Sequence, residues 1–391
     1  MIPIVDKLNN IQHYRFMNRQ QLRARILAEF GASDSEVTEL LNYNENIFES
    51  HKCKLPQTFP PVPEAHIAAW EKYVIEAEEI GSHEVLKNTF VQLQFPILSG
   101  ISKTEEYRAA TRQGGFASIS KNVVNIVFKE PEKLQIKIHE TLAGFIPVII
   151  AGNRQDFVTL VQAITKQNEP QPVPDSMGAC IVSGYNNWNR IYQYQKQWKA
   201  QQNNDSESEW SNEFKRLIPR KELYQDKFII LSTGPYSNVP ANKLGLTKMQ
   251  WQQMSLKIRL EHECTHYFTR RFFGSMRNNL LDELIADYRG IVAAIGSYRS
   301  DWFLHFIGLE SFPNYREGGR LQNYRGEPPL SEGAFKILQT LVVCAAKNLE
   351  NFDKQFFAQS RTLANELSML LTLSKLTLEE LASSQITHTL L

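Results

Sequence analysis

The sequence is poor in cysteine, and its cysteines lie far apart. Only four occur in 391 residues, and no two of them form a C-x-x-C pair. Closely spaced cysteine pairs are typical of thiolate zinc sites, and dense cysteines are typical of small disulfide-linked proteins. The scarcity of cysteine argues against both classes and favours reduced, buried thiols. The four residues are Cys53, Cys180, Cys264 and Cys344.

The chain also lacks an excess of charge of either sign. It has 43 basic and 42 acidic residues, a formal charge of +1 and a pI near 7.7. Proteins that bind nucleic acids or anionic membranes usually carry a clear basic excess. We therefore expect neither a nucleic acid nor a membrane as the main partner.

Long hydrophobic runs are missing as well. The most apolar runs, residues 143–152 and 341–346, are too short to cross a bilayer, and the first contains glycine and proline. At the N-terminus, Asp6 and Lys7 come too early for a secretory signal peptide. These features predict a soluble, cytoplasmic protein.

The periodicity of hydrophobic residues changes along the chain and predicts an α+β fold. At 391 residues the chain is long enough for two domains, or for one catalytic domain with helical additions. A helical period dominates at first, and from about residue 115 the period becomes two, as in strands. We predict a mainly helical region at 1–112, an α+β core at 113–297, and a region at 298–391 with a loop at 312–329 before further helices. The predicted strands are 123–128, 134–140, 145–150, 179–183 and 227–232.

The segment His262-Glu263-Cys264-Thr265-His266 carries the clearest chemical pattern in the chain. It lies on a predicted helix that begins at a capping box formed by Thr247 and Gln250. Residues four apart stand nearly above one another on a helix, so His262 and His266 can direct their imidazoles at one point. Glu263 lies about 100° further round the helix. This geometry suits a divalent metal with an adjacent base.

A third ligand for such a metal is predicted on the next helix. A catalytic zinc site uses three protein ligands and leaves the fourth position for water. Glu283 lies 17 positions after His266, near the start of a helix whose predicted N-cap is Asn278 or Asn279. Asp287 shares its face and is placed to accept a hydrogen bond from the far nitrogen of a ligating histidine.

Simpler interpretations exist for these residues. Glu283 and Asp287 also fit a solvated acidic helix face, and the helix dipole alone favours an acid in the first turn. However, the neighbouring side chains are apolar, and an unpaired acid pair is unfavourable on a buried helix. An H-E-x-x-H pattern arises by chance in roughly one chain in a hundred of this composition.

The glycine-rich loop at 312–329 offers groups for substrate binding. Tyr315 and Arg320 are the candidates for binding a carboxylate or stabilising an oxyanion, and Arg316, Tyr324 and Arg325 lie beside them. A surface loop whose arginines pack through their aliphatic stems is an equally good interpretation. Two other histidines have structural interpretations. His139 is predicted at a strand edge, and His305 in an apolar core segment.

The pattern His262-Glu263-x-x-His266 followed by Glu283-x-x-Ala286-Asp287 resembles the gluzincin metallopeptidases. Its E-x-x-A-D half is most similar to the group that includes the CAAX prenyl proteases, the HtpX heat-shock proteases and the soluble minigluzincins. The resemblance spans about residues 255–290 and implies a zincin-like catalytic domain, one bound Zn²⁺ and peptide-bond hydrolysis. It also places the strand at 228–232 where zincins often have the edge strand that pairs with substrate. The implied roles are zinc binding by His262, His266 and Glu283, general base for Glu263, and ligand support for Asp287.

We therefore expect a zinc-dependent hydrolase, a metallopeptidase that acts on a peptide or protein. Two alternatives remain open at this stage. One is a tailoring or processing enzyme that uses the same zinc on a small peptide-like molecule. The other is a catalytically silent protein-binding module in which the helical hairpin is structural. The sequence gives no indication of the oligomeric state.

Overall fold

The computed structural model describes residues 18–46, 48, 59–114, 126–202, 207–274, 280–358 and 360–383. The chain divides into two compact units. The sheet unit consists of Pro56–Asn238 and Leu246–Tyr267, and the helical unit consists of Met1–Leu55, Val239–Gly245 and Phe268–Leu391. The division predicted at residues 112 and 297 stays a prediction. Cys53, Asn278 and Asn279 lie outside the described residues.

The described residues form four strands and fourteen α-helices. The strands are β1 Gln135–Thr141, β2 Gly144–Ala151, β3 Ala179–Asn186 and β4 Gln225–Ser232. The helices are α1 Arg19–Glu29, α2 Asp34–Tyr43, α3 Ile67–Ile80, α4 Ser82–Thr89, α5 Glu105–Gln113, α6 Arg154–Thr165, α7 Trp188–Gln202, α8 Glu207–Leu217, α9 Lys248–Phe273, α10 Leu280–Ile295, α11 Ser300–Ile307, α12 Glu332–Phe356, α13 Leu363–Leu373 and α14 Leu378–Ala382. Short 3-10 helices span Val91–Gln94, Ile101–Lys103, Pro131–Lys133, Lys221–Leu223, Tyr236–Asn238, Ala241–Leu244 and Arg320–Tyr324.

The sheet unit contains a mixed four-stranded sheet with the order β1-β2-β4-β3. β1 is antiparallel to β2, β2 is parallel to β4, and β4 is antiparallel to β3. β2 is apolar along nearly its whole length, which is typical of a strand covered on both faces. The α+β fold class predicted from the change in periodicity is confirmed.

Two predictions about strands are wrong. β4 lies between β2 and β3, so the segment 228–232 is an interior strand, not the edge strand that the resemblance implied. Residues 228–231 are fully buried, as expected for the centre of a sheet, and β3 is the edge strand beside them. In the segment predicted as a strand at 123–128, residues 126–128 form no strand, although Ile126 and Phe128 pack into the core. Residues 123–125 lie outside the described part.

The helical unit is held together by buried polar contacts as well as by apolar packing. Arg23 and Glu379 form an ion pair at 3.1 Å. The Asp353 carboxylate accepts hydrogen bonds from Tyr288, at 2.6 Å, and from Arg361, at 2.7 Å. No helix in the described ranges has both the length and the apolar character required to span a membrane.

One buried histidine of the sheet unit makes stability depend on pH. His66, just before α3, is 3% exposed, and its Nε2 atom has no hydrogen-bond partner. Burial lowers the pKa of His66 to about 4, and the positive charges of Arg190 and Lys227 add to this effect against the opposing charge of Glu64. The neutral imidazole is therefore strongly preferred in the folded protein.

We expect the free energy of unfolding to fall by about 2 kcal/mol between pH 7 and pH 5 because of His66 alone. Its pKa is lower in the folded state than in the unfolded state, so the unfolded chain binds the extra proton as the pH falls. Urea unfolding at both pH values, in wild type and His66→Asn, measures the effect. The pH dependence should shrink by that amount in the variant. An identical pH dependence in both proteins contradicts the assignment.

Candidate metal centre

The helix α9 carries the histidine motif in a fixed geometry. Its start is capped as predicted, because the Thr247 backbone N–H donates to Gln250 Oε1 at 3.0 Å and the Gln250 N–H donates to the Thr247 hydroxyl at 3.3 Å. His262 and His266 are 6% and 8% exposed, and Glu263 between them is only partly buried. The helix therefore holds two shielded imidazoles and leaves the intervening carboxylate accessible.

The two imidazoles face one point. The Nε2 atoms of His262 and His266 are 3.0 Å apart, and the ring planes are inclined by 84°. Two nitrogen ligands at 2.0–2.1 Å from a tetrahedral zinc ion lie about 3.3 Å apart. The observed separation is close to that value, so the four-residue spacing directs both imidazoles at one point, as predicted.

The third predicted ligand belongs to the same cluster. One ligand atom each of His262, His266 and Glu283 lies within 4.8 Å of the other two, and all three residues are buried. Within the described residues, this is the one group of three or more histidine, cysteine, aspartate or glutamate side chains with such spacing. Glu283 lies in the first turn of α10, as predicted.

The donor set fits a divalent cation. Two imidazole nitrogens and one carboxylate oxygen are the ligands that zinc accepts in catalytic sites. Glu283 is 7% exposed, and a buried carboxylate is costly unless a positive charge compensates it. A metal held by His262, His266 and Glu283 would provide such a charge.

A tyrosine that the sequence analysis missed holds the first histidine. The Tyr236 hydroxyl lies 2.9 Å from Nδ1 of His262, which is the ring nitrogen that faces away from His266. Tyr236 is itself fixed, because its backbone N–H donates to the Ser255 hydroxyl at 3.0 Å. Such a partner sets the tautomer and orientation of a ligating imidazole. Tyr236 precedes His262 by 26 residues and follows the predicted strand 227–232, and no local pattern marks it.

Arg259, one turn before the motif, holds the segment that carries Tyr236. Its guanidinium donates to the carbonyls of Ser232, at 2.7 Å, and Gly234, at 3.0 Å, and lies 5.6 Å from the centre of the Tyr236 ring. Burial lowers the pKa of Arg259 to about 10, and the neighbouring Tyr236 and Glu263 oppose this shift. Arg259 therefore stays charged at neutral pH and fixes the turn after β4.

Cys180 lies on the edge strand β3. Burial raises the pKa of the Cys180 thiol to about 12, and the charge of Glu263 contributes to the increase. Cys180 is therefore a neutral thiol. His139 lies in β1, the other edge strand, and its Nε2 is 2.7 Å from Glu261 of α9. Cys264 is buried, in agreement with its predicted place in the core.

The acid predicted to support a ligand is bound by an arginine. Asp287 is fully buried and accepts a hydrogen bond from Arg320, whose Nη2 is also 4.0 Å from Glu283 Oε2. The predicted support of a histidine by Asp287 stays a prediction. Arg320, predicted to bind substrate or an oxyanion, is placed beside the third ligand by these contacts.

The other loop candidates make contacts within the loop and its base. The Tyr315 hydroxyl donates to the Gly319 carbonyl and accepts from the Gln322 N–H at 3.0 Å, so it stabilises the loop conformation. Its role toward a substrate stays a prediction. Arg316 forms an ion pair with Glu310, and Arg325 forms one with Glu332. His305 is half-buried, less than its predicted core position implies.

No curated protein and no solved structure matches the chain. One family model does match, and it covers residues 25–385, which is most of the chain. The chain therefore belongs to DUF7005, a family of unknown function.

Proposed function

We propose that the protein is a zinc-dependent hydrolase of the gluzincin type that cleaves peptide bonds. The observation that carries this proposal is the buried cluster of His262, His266 and Glu283, whose ligand atoms lie within 4.8 Å of one another. The two nitrogens and one oxygen are a zinc donor set that leaves a coordination position for reaction. We further propose that the α+β sheet unit is zincin-like. The cytoplasmic location and the absence of a nucleic-acid or membrane partner stay predictions.

Zinc in this cluster would act as a Lewis acid that polarises a carbonyl and lowers the pKa of water. His262 and His266 would hold it through Nε2, and Tyr236, by accepting a hydrogen bond from Nδ1–H, would fix the matching tautomer of His262. Glu263 is accessible and follows the first ligand directly, so its carboxylate takes the proton from the attacking water. It then delivers that proton to the leaving amine, and water adds across the broken amide bond.

The substrate proposed is an extended peptide, and β3 supports this class. It is the edge strand on one side of the sheet, and edge strands present backbone groups with which an added strand can pair. The charge of Glu263 contributes to the raised pKa of Cys180 on β3, so this strand is on the side of the sheet that Glu263 influences.

We expect the purified full chain to contain about one zinc ion and to cleave members of a diverse peptide library. Mass spectrometry of the metal content and of the peptide products measures both. A chelator should abolish cleavage, and added zinc should restore it. Cleavage of short peptides alone favours a tailoring enzyme. A zinc-loaded protein that cleaves nothing contradicts the proposed activity and favours a binding module.

A further inference from the structure

The short 3-10 helix Arg320–Tyr324, at the end of the glycine-rich loop, lies against the proposed ligand Glu283. Both ends of this helix reach the same acidic side of α10. Arg320 begins the helix and Tyr324 ends it. The proposed hydrolysis gives neither side chain a role, so their position beside Glu283 has to be explained in another way.

Arg320 balances the charge beside the site. Its guanidinium hydrogen-bonds to Asp287 and comes within 4.0 Å of Glu283, and its side chain is only 13% exposed. Asp287 and Glu283 are one helical turn apart and repel each other. The positive charge of Arg320 therefore offsets the repulsion between the two buried carboxylates and restrains Glu283 from its Oε2 side.

Tyr324 places its hydroxyl beside the carboxylate of Glu283. Burial together with the charge of Glu283 raises the pKa of this hydroxyl far above its usual value. A carboxylate ligand that is held by such neighbours loses less freedom when it binds a metal.

Helix α2, from the N-terminal part of the helical unit, holds this segment. The Tyr43 hydroxyl donates to the backbone carbonyl of Tyr324. Glu39 accepts hydrogen bonds from the backbone N–H and hydroxyl of Ser331, at 2.6 and 2.7 Å. One helix thus anchors the end of the 3-10 helix and the start of α12 that follows it.

We propose that the 3-10 helix Arg320–Tyr324 positions Glu283 for metal binding, and that α2 is the element that holds it there. This inference rests on the proposed function, and it gives the N-terminal helices a role at the site. Arg320 and Tyr324 are positioning residues, because they act through Glu283. Loss of an outer partner of this kind typically weakens metal binding about 10- to 100-fold.

The test is a zinc titration of the full chain against a chromogenic chelator, with thermal unfolding of the zinc-free protein measured in parallel. Tyr324→Phe should raise the zinc dissociation constant at least about tenfold. Tyr43→Phe should raise it by a smaller factor, because it loosens the anchor and leaves both contacts to the carboxylates in place. In a Glu283→Gln background, Tyr324→Phe should add nothing, since the partner is already altered.

Tyr107→Phe is the matched control. It removes a buried hydroxyl that donates to Asn168 at 3.1 Å in the sheet unit, and the zinc dissociation constant should not change. A lower melting temperature of zinc-free Tyr324→Phe with unchanged zinc affinity means a purely structural role and overturns the inference. If Tyr324→Phe does not fold, the same two measurements on Tyr43→Phe decide: a lower melting temperature with unchanged zinc affinity overturns the inference. Absence of zinc binding by the wild-type protein overturns the proposed function as well.

Discussion

Replacing Glu263 by glutamine should abolish hydrolysis and leave zinc bound. The carboxylate is only partly buried and follows His262 directly, so it is accessible for proton transfer. Glutamine has nearly the same shape and cannot accept a proton. General acid–base catalysis contributes about 10²- to 10⁴-fold in rate, so kcat should fall by at least about 100-fold. Peptide cleavage assays, with metal analysis of the same sample, measure the two expectations together.

Glu261→Gln is the matched control for this experiment. Glu261 lies on the same helix two residues earlier, and its carboxylate is paired with His139 at 2.7 Å. Its loss removes one contact to β1 and leaves the proposed base in place, so the rate should stay within a few-fold of wild type. Equal rates for Glu263→Gln and wild type would remove Glu263 from its role. Loss of zinc from Glu263→Gln would show instead that Glu263 is needed for metal binding.

The largest effect on metal binding is expected when both histidines are removed. His262→Ala together with His266→Ala deletes two of the three ligands, and the remaining carboxylate cannot hold zinc alone. Losing a residue that only supports a ligand weakens metal binding by up to about 100-fold, and the affinity for zinc should fall by more than this when two ligands are lost. Zinc content after gel filtration, and competition with a chelator, measure the result.

The control for the paired substitution is His139→Ala with His305→Ala. It also removes two histidines, both outside the cluster, and zinc content should stay at one per chain. His139 is bound to Glu261, and the His305 Nδ1–H donates to the carbonyl of Asp301 at 2.8 Å. Full zinc content in the variant that lacks His262 and His266 would disprove the ligand assignment.

Local patterns predicted the parts of the site that are close in sequence. The helical period placed His262 and His266 on one face, and the capping signature at Thr247 marked the start of their helix. Glu283 was predicted as the third ligand because it lies in the first turn of the next helix. These predictions depend on spacing within one or two turns, which the sequence contains directly.

Contacts between distant segments were not predictable in the same way. Tyr236 reaches His262 only because the turn after β4 folds back on α9, and Arg320 reaches Asp287 across 33 residues. The order of strands likewise depends on non-local pairing, so the apolar run of β4 was recognised as a strand but assigned to the wrong place in the sheet. The residues that orient the site were therefore missed or given other roles.

The central claim is that one zinc ion is bound where His262, His266 and Glu283 meet. Anomalous diffraction at the zinc edge, from crystals of the zinc-loaded full chain, tests it most directly. We predict one strong peak within 2.0–2.2 Å of Nε2 of both histidines and of a Glu283 carboxylate oxygen, distances typical of zinc. A zinc peak at other residues, or no peak in crystals that contain zinc, would contradict the account.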